Sequence, residues 1–167
     1  PAYAKSEGIG LEAAARKLRY DFLNLTATKY TGKIFIAVAH NKSDKVETIL
    51  HNISRGTSID GLKGISYKRK NIIRPLLDLS RKEIEFVCKY YNVMPVFDST
   101  NADNKYKRNL IRNDVIPFLS DAFGDDFSEH ILKLSESASA DSLFLQKVTL
   151  EAFEKCCSVI NKPFYKI

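Results

Sequence analysis

The segment Ile34-Phe-Ile-Ala-Val-Ala-His-Asn-Lys-Ser-Asp-Lys-Val-Glu-Thr-Ile-Leu50 decides the fold class of this chain. Residues 34–39 are almost continuously apolar, which is typical of a strand covered on both faces of a parallel sheet. The residues that follow have the i, i+3, i+4, i+7 spacing of an apolar helix stripe, formed by Val46, Ile49, Leu50 and Ile53. The segment therefore predicts a strand, a turn and a helix to residue 54, with the stripe facing the sheet of an α/β fold.

Three polar side chains follow the predicted strand, namely His40, Asp44 and Glu47. In open α/β sheets, ligands bind at the carboxyl ends of the strands, where the following helices begin. An imidazole and two carboxylates at that point are suited to Mg²⁺, to a substrate ammonium or to a phosphate. A purely structural explanation competes, because Asn41 can cap the helix with Asp44 as its partner, and acids in a first turn favour the helix dipole. The residues alone leave both explanations open.

Composition excludes several classes of protein. The chain has 167 residues, of which 44% are hydrophobic and 28% are charged, as expected for a globular protein with a buried core. No apolar run approaches the about 18 residues of a membrane span, and the first residues lack the pattern of a signal peptide. The three cysteines form no C-x-x-C pair, which favours reduced thiols. We therefore expect a cytoplasmic protein.

The net charge of +6 is unevenly distributed along the chain. Residues 1–62 carry nine basic and six acidic groups, residues 63–112 carry twelve and five, and residues 113–167 carry five and nine. A local basic excess of this kind favours a polyanionic partner, since phosphate contacts by Lys and Arg dominate nucleic-acid affinity. The alternative is a solvated basic surface without a partner.

The remaining patterns predict helices with two further strands. Helices are expected over residues 10–29, 80–92, 106–119 and 127–157, and strands near 72–75 and 93–97. The first helix has the apolar stripe Leu11, Ala14, Ala15, Leu18, Phe22 and Leu25. Residues 1–10 are expected to be irregular, and the Asx-rich residues 98–104 are expected to form a turn. Two further features should interrupt regular structure: the glycine-punctuated loop 55–64, and Pro117, which should kink or end its helix.

The helix predicted over residues 80–92 has a recognisable start and an apolar stripe. Ser80 and Glu83 form a capping box, and Ile84, Val87, Cys88 and Tyr91 are its predicted buried stripe. From residue 125 onward the chain becomes helical and acidic on its outside. We therefore divide it into residues 1–122, an α/β domain, and residues 123–167, the start of a helical second domain.

Seven short motifs occur in a fixed order between residues 8 and 120. They are Glu12-Ala-Ala-Ala-Arg-Lys-Leu-Arg-Tyr, Ala39-His-Asn-Lys-Ser-Asp-Lys-Val-Glu-Thr, Arg55-Gly, Gly61-Leu, Ile73-Arg-Pro-Leu-Leu, Asp98-Ser-Thr-Asn and Arg108-Asn-Leu-Ile-Arg. This series resembles the tRNA(Ile)-lysidine synthetases, which belong to the N-type pyrophosphatase-loop (PP-loop) ATPases. The resemblance implies a parallel-sheet ATP-binding domain followed by helical and tRNA-binding domains.

The resemblance also implies a reaction, its cofactors and its partners. These enzymes use ATP and Mg²⁺ to adenylate the C2 oxygen of the wobble cytidine (C34) of tRNA(Ile). The amine of L-lysine then attacks C2 and releases AMP, and the lysidine formed changes the codon read from AUG to AUA. Arginine and Mg²⁺ would offset the negative charge that develops on the phosphate.

Residue roles follow from the same resemblance. Asp44 and Glu47 would bind lysine or metal, with Asp44 as the Mg²⁺ ligand, and His40 would face ATP. With Arg108, these residues form the expected catalytic group. The expected substrate-binding and tRNA-binding residues are Arg16, Arg19, Arg55, Arg74, Asn109 and Arg112.

The sequence departs from the family pattern at two places. The Ser-Gly-Gly-x-Asp-Ser phosphate loop has no counterpart, and Ser43 and Lys45 stand where the family has Asp and Gln. We therefore expect the later part of the catalytic domain, inactive by itself, with an exposed sheet edge that favours a homodimer. Two other functions stay open: a PP-loop enzyme that thiolates tRNA, against which the missing C-x-x-C counts, and a non-catalytic RNA-binding protein.

Overall fold

A computed structural model describes residues 2–96 and 107–157 of the chain. The helices are α1 (Ala2–Ser6), α2 (Leu11–Ala27), α3 (Lys42–Ser54), α4 (Ile59–Leu62), α5 (Arg81–Tyr90), α6 (Lys107–Leu110), α7 (Ile116–Phe123) and α8 (Phe127–Cys156). A π-helical segment, Ile111–Val115, joins α6 to α7. The strands are β1 (Ile36–Ala37), β2 (Lys68–Arg69) and β3 (Ile72–Ile73).

The sheet confirms the α/β class but is mixed, not purely parallel. Its order is β1-β3-β2, with β1 parallel and β2 antiparallel to β3. The strand predicted over 34–39 pairs only at Ile36 and Ala37, because β3 is short and Pro75, which has no amide hydrogen, follows it closely. The β2–β3 hairpin was not predicted. Its two-residue turn requires the left-handed conformation that Lys70 adopts, with φ of 56°.

The core lies where α3 packs against α4 and α8. Val46 and Ile49 of α3 are buried, as the apolar stripe predicts, but Ile53 at its end is 44% exposed. Gly64 packs directly on Ile49, since a Cβ atom at this glycine would come within 2.8 Å of the Cγ1 atom of Ile49. Ser135 of α8 is fully buried and donates a hydrogen bond to the carbonyl oxygen of Lys63 at 2.8 Å. The stripe of α3 was predicted to face the sheet, but α3 packs mainly against α8 and α4, because the long helix covers this face.

The helix predicted over residues 106–119 extends further and does not end at Pro117. The π-helical segment precedes this proline, and α7 continues to Phe123, where Gly124 with φ of 104° terminates it. A wider turn before the proline relieves the clash between its ring and the preceding turn of an α-helix. Position 106 itself lies outside the described residues.

Two predicted apolar stripes are largely exposed in the described residues. Ala14 of α2 is 2% exposed, but Phe22 and Leu25 are 66% and 65% exposed. On α5, Val87 and Tyr91, predicted to be buried, are 45% and 69% exposed. The amphipathic pattern predicted these helices correctly and their burial wrongly, because it contains no information about which surface covers a stripe.

Three local predictions were also wrong. Residues 1–10 were expected to be irregular, but Ala2–Ser6 is a short helix. The loop 55–64 contains the helical turn Ile59–Leu62, although Gly56 and Gly64 do adopt positive φ as expected. Residues 93–96 form no strand, and Val96 is 96% exposed. Position 97 and the turn 98–104 lie outside the described residues.

Candidate functional site

Four charged side chains from two helices form one cluster. Arg108 donates from Nε to Oε2 of Glu47 at 2.8 Å and from Nη2 to Oδ1 of Asp44 at 2.7 Å. Arg112 donates from Nε to Oε1 of Glu47 at 2.6 Å and from Nη2 to Oε2 of the same carboxylate at 3.0 Å. Oε1 of Glu47 thus accepts from Arg112, and Oε2 accepts from both guanidinium groups.

Helix periodicity explains why these side chains meet. Asp44 and Glu47 are three residues apart on α3, and Arg108 and Arg112 are four apart on the opposing helix, so each pair shares one face of its helix. The first turn of α3 is held in place by a capping box. The side chain of Asn41 accepts from the amide of Asp44 at 3.1 Å, and the Asp44 carboxylate accepts from the amide of Asn41 at 2.9 Å. The predicted structural role of Asp44 is therefore confirmed.

Burial makes this pairing obligatory for Glu47. Its side chain is fully buried, whereas that of Asp44 is 16% exposed and those of Arg108 and Arg112 are 30% and 41% exposed. A buried carboxylate must be paired and hydrogen-bonded, because its loss of hydration is otherwise too costly. The hydrogen bond to Glu47 raises the pKa of Arg112 further above its ordinary value. Two negative and two positive charges cancel within the cluster.

His40 lies beside the cluster and is neutral. Its Nδ1 accepts a hydrogen bond from Nε of Arg74 at 3.3 Å, and Nη1 of Arg74 donates to the carbonyl oxygen of Ser66 at 2.7 Å. Burial lowers the pKa of His40 below 6.5, an effect that the charge of Asp44 partly opposes and that of Arg74 reinforces. The Nδ1 atom accepts, so the ring hydrogen is on Nε2, which is a hydrogen-bond donor.

A cavity of about 450 Å³ connects these groups with helix α2. His40, Asp44, Arg108 and Arg112 line one side of it, and α2 contributes Arg16, Arg19 and Tyr20. We refer to it as the main cavity. Its wall carries a carboxylate and several guanidinium groups, so it can bind a cationic and an anionic group of a ligand at the same time.

A family profile described as "PP-loop domain" matches residues 2–119, which is well over half of the chain. The chain belongs to the PP-loop domain family. The match covers both β strands that pair in parallel and all the charged residues of the main cavity. The α/β class predicted from the sequence is that of this PP-loop domain.

Proteins named tRNA(Ile)-lysidine synthase are similar to this PP-loop chain over nearly all of its length. The protein from Clostridioides difficile (strain 630) is 41% identical over 168 residues, which cover all of this chain and 36% of the relative. The protein from Thermosipho africanus (strain TCF52B) is 41% identical over 92% of this chain and 36% of the relative. That from Porphyromonas gingivalis is 37% identical over 88% and 32%. The chain spans about a third of the length of these curated relatives.

The structure brings together most of the residues predicted to form the site. Arg16, Arg19, His40, Asp44, Arg108, Asn109 and Arg112 line the main cavity, Glu47 lies beneath it, and Arg74 contacts it through His40. Arg55 is not among them. It follows the last turn of α3, eleven residues from Asp44, which corresponds to roughly 16 Å along the helix axis.

Sequence reasoning missed the pairing of the predicted arginines with the predicted carboxylates. The acids and the arginines were expected to act separately: Asp44 and Glu47 were expected to bind lysine or metal, and the two arginines to contact phosphate or the tRNA. The complementary spacings, i and i+3 for the acids and i and i+4 for the arginines, are the signal that could have indicated the cluster. The apolar wall of the cavity, including Leu23 and Val38, gave no such signal.

The carboxylates as arranged do not fit a divalent cation. Both oxygens of Glu47 accept from arginines, and the two oxygens of Asp44 accept from Arg108 and from the amide of Asn41. No group of three or more potential metal ligands occurs within residues 2–96 and 107–157. The Mg²⁺ site at Asp44 stays a prediction. In the same described ranges, no helix has the length and apolar character needed to cross a membrane.

Proposed function

We propose that this PP-loop protein takes part in ATP-dependent ligation of L-lysine to C2 of the wobble cytidine (C34) of tRNA(Ile). The observation that carries this proposal is the cluster of Asp44, Glu47, Arg108 and Arg112 at the main cavity. The reaction has a cationic reactant, the lysine, and anionic ones, the nucleotides. A cavity that presents both signs of charge suits that combination, and the relatives at 41% identity are named for this product.

The different burial of the two acids supports different roles for them in the proposed reaction. Glu47 is fully buried and holds both arginines, so it is a positioning residue. Asp44 is partly exposed and lines the main cavity, so it is the carboxylate that an incoming ammonium group contacts. Arg108 binds both acids, and an ammonium at Asp44 would release its Nη2 group for a phosphate oxygen. Substrate binding then exchanges charge partners without leaving any buried charge unpaired.

His40 suits an uncharged role in this reaction. Its Nε2–H group can donate to a phosphate or carbonyl oxygen, while Arg74 fixes the orientation of the ring through Nδ1. A neutral donor stabilises developing negative charge without requiring a proton transfer. ATP, when bound, would transfer its adenylyl group to the C2 oxygen with release of pyrophosphate, and the lysine amine would then displace that oxygen from C2 as part of the departing AMP.

The test is lysine incorporation by the complete gene product that contains this chain, with ATP and a tRNA(Ile) transcript. We expect lysine-dependent release of AMP and labelled lysine in the tRNA. Asp44→Asn retains an acceptor for the amide of Asn41 but loses the charge, so it should abolish incorporation and leave tRNA affinity nearly unchanged. Asp60→Asn is the matched control, because this exposed acid pairs with Lys63 away from the main cavity.

Two results would contradict the proposal. Tight tRNA binding without lysine incorporation in the unsubstituted protein would favour an RNA-binding protein, and sulfur incorporation would favour a tRNA thiolase. Equal loss of lysine incorporation and of tRNA affinity in Asp44→Asn would mean that Asp44 only caps its helix.

Since tRNA is the proposed substrate, we propose a cytoplasmic location. The domain boundary between residues 122 and 123 stays a prediction. The homodimer also stays a prediction, and light scattering would measure the oligomeric state.

A further inference from the structure

A second, smaller cavity of about 250 Å³ lies next to the main cavity. The two share Arg16 and Tyr20 of α2, and the zeta carbon of Arg16 lies 5.2 Å from the centroid of the Tyr20 ring. The other polar groups of the small cavity belong to Asn24, Arg69, Lys70, Asn71 and Arg74. No acidic residue lines it among the described residues, so its wall is strongly positive.

The β2–β3 hairpin places these cations in the small cavity. Arg69 pairs with Ile72, and both line the cavity, so this face of the sheet is turned toward α2. Asn71 in the turn donates from Nδ2 to Oδ1 of Asn24 at 3.2 Å, which ties the hairpin to α2. Side chains alternate along a strand, so Lys68 points to the other face. Its Nζ lies 5.2 Å from the centroid of the Phe35 ring.

The positive charges of the small cavity are not balanced by the described part of the protein. Arg69, Lys70 and Arg74 form no ion pair with any carboxylate whose side chain the structure describes within residues 2–96 and 107–157. Arg74 is only 7% exposed, and its hydrogen-bond acceptors are the neutral ring of His40 and a carbonyl oxygen. A buried guanidinium without a counter-charge destabilises a fold unless an anion is bound.

We propose that the small cavity binds a backbone phosphate of the RNA whose neighbouring nucleotide occupies the main cavity. This inference rests on the proposed function, because that function puts an RNA nucleotide in the main cavity. Guanidinium groups match the geometry of phosphate oxygens, and asparagine amides add further donors. The shared wall of Arg16 and Tyr20 lets one continuous strand enter both cavities. The Tyr20 ring also offers a face on which a base can stack.

The test compares Arg69→Gln with Lys68→Gln in the complete gene product. The two variants lose the same charge at adjacent, exposed positions on opposite faces of the sheet. In Arg69→Gln, the affinity for tRNA(Ile) should fall roughly ten-fold, as expected for the loss of one charge-assisted hydrogen bond. The slope of log affinity against log salt should fall by about 1. Lys68→Gln should change neither quantity, and the KM for ATP should be unchanged in both.

Three other outcomes would overturn the inference. An equal loss of tRNA affinity in the two variants would mean diffuse electrostatic attraction and no specific phosphate site. Unchanged tRNA affinity in Arg69→Gln would mean that Arg69 does not contact the RNA. A raised KM for ATP with intact tRNA affinity would assign the cavity to a phosphate of ATP instead. These readouts are separate from lysine incorporation. Selective weakening by Arg69→Gln in a protein that incorporates no lysine would support the RNA site and overturn only the proposed activity.

Discussion

Helices α2 and α3 have similar amphipathic sequences and very different surroundings. In α3, Ile49 is fully buried, and the polar residue Glu47 is fully buried as well. In α2, Phe22 and Leu25 of the apolar stripe are about two-thirds exposed, at 66% and 65%. The N-terminus of α3 has a complete capping box, whereas Gly10 before α2 forms no side-chain cap.

This difference shows that sequence periodicity predicts a helix but not which elements pack against it. The apolar stripe of α3 is covered by α8, and its acidic side is covered by Arg108 and Arg112, so both faces contribute to stability. On α2 the residues at the main cavity, Arg16 and Arg19, are instead available to a ligand. One helix anchors the site, and the other presents side chains to it.

The largest expected effect comes from the buried charge on α3. Glu47→Gln leaves two guanidinium groups facing a neutral amide, so the free energy of unfolding should fall by about 3 kcal/mol. Urea unfolding followed by circular dichroism measures this. Glu7→Gln is the control, because the Glu7 carboxylate pairs with Lys17 of α2 at 3.0 Å on the surface. No measurable change is expected there, and similar losses in both variants would refute the distinction between the helices.

A slightly smaller effect is expected from the apolar faces. Ile49→Ala removes buried atoms beside Gly64 and should lower the free energy of unfolding by about 2–3 kcal/mol, since a cavity forms. Leu25→Ala on α2 should cost less than about 0.5 kcal/mol in the same measurement. A large loss in Leu25→Ala would show that another surface covers this stripe in solution.

The helix caps should differ by a more modest amount. Asn41→Ala removes the acceptor for the amide of Asp44, so stability should fall by about 1 kcal/mol. Gly10→Asn would add the missing cap on α2 in a position with open space, and stability should rise by a few tenths of a kcal/mol. Thermal unfolding of both variants provides the check, and an unchanged Asn41→Ala would mean that other contacts fix the first turn of α3.

The smallest expected effect is a dependence on pH through His40. Its pKa is lowered in the folded protein, so the unfolded chain binds more protons between that lowered pKa and 6.5. The free energy of unfolding should therefore rise with pH through this window and level off above 6.5. His40→Gln should remove this component, seen as the difference between the two urea-midpoint profiles against pH. Parallel profiles would mean that His40 titrates normally.

The candidate site was largely predictable, and its internal organisation was not. His40, Asp44, Arg108 and Arg112 were all named from motifs, and they do meet at one cavity. The pairing of the arginines with the carboxylates depends on how α3 packs against residues 107–115. Arg108 lies more than sixty positions along the chain from Asp44 and Glu47. Arg55 shows the opposite case, since a motif residue can lie far from the site when it follows the end of a helix.

The sequence by itself determined the longer helices, the strand before His40 and the chemical inventory of this protein. Helical periodicity, the capping residues at Asn41 and Ser80 and the apolar run before His40 are local properties, because they depend on residues within one or two turns. Only the tertiary structure decided which face of α3 meets α8, that Glu47 is buried, and that Arg69 lines the cavity beside α2. These outcomes depend on long-range packing, in which burial and charge pairing must be satisfied at the same time.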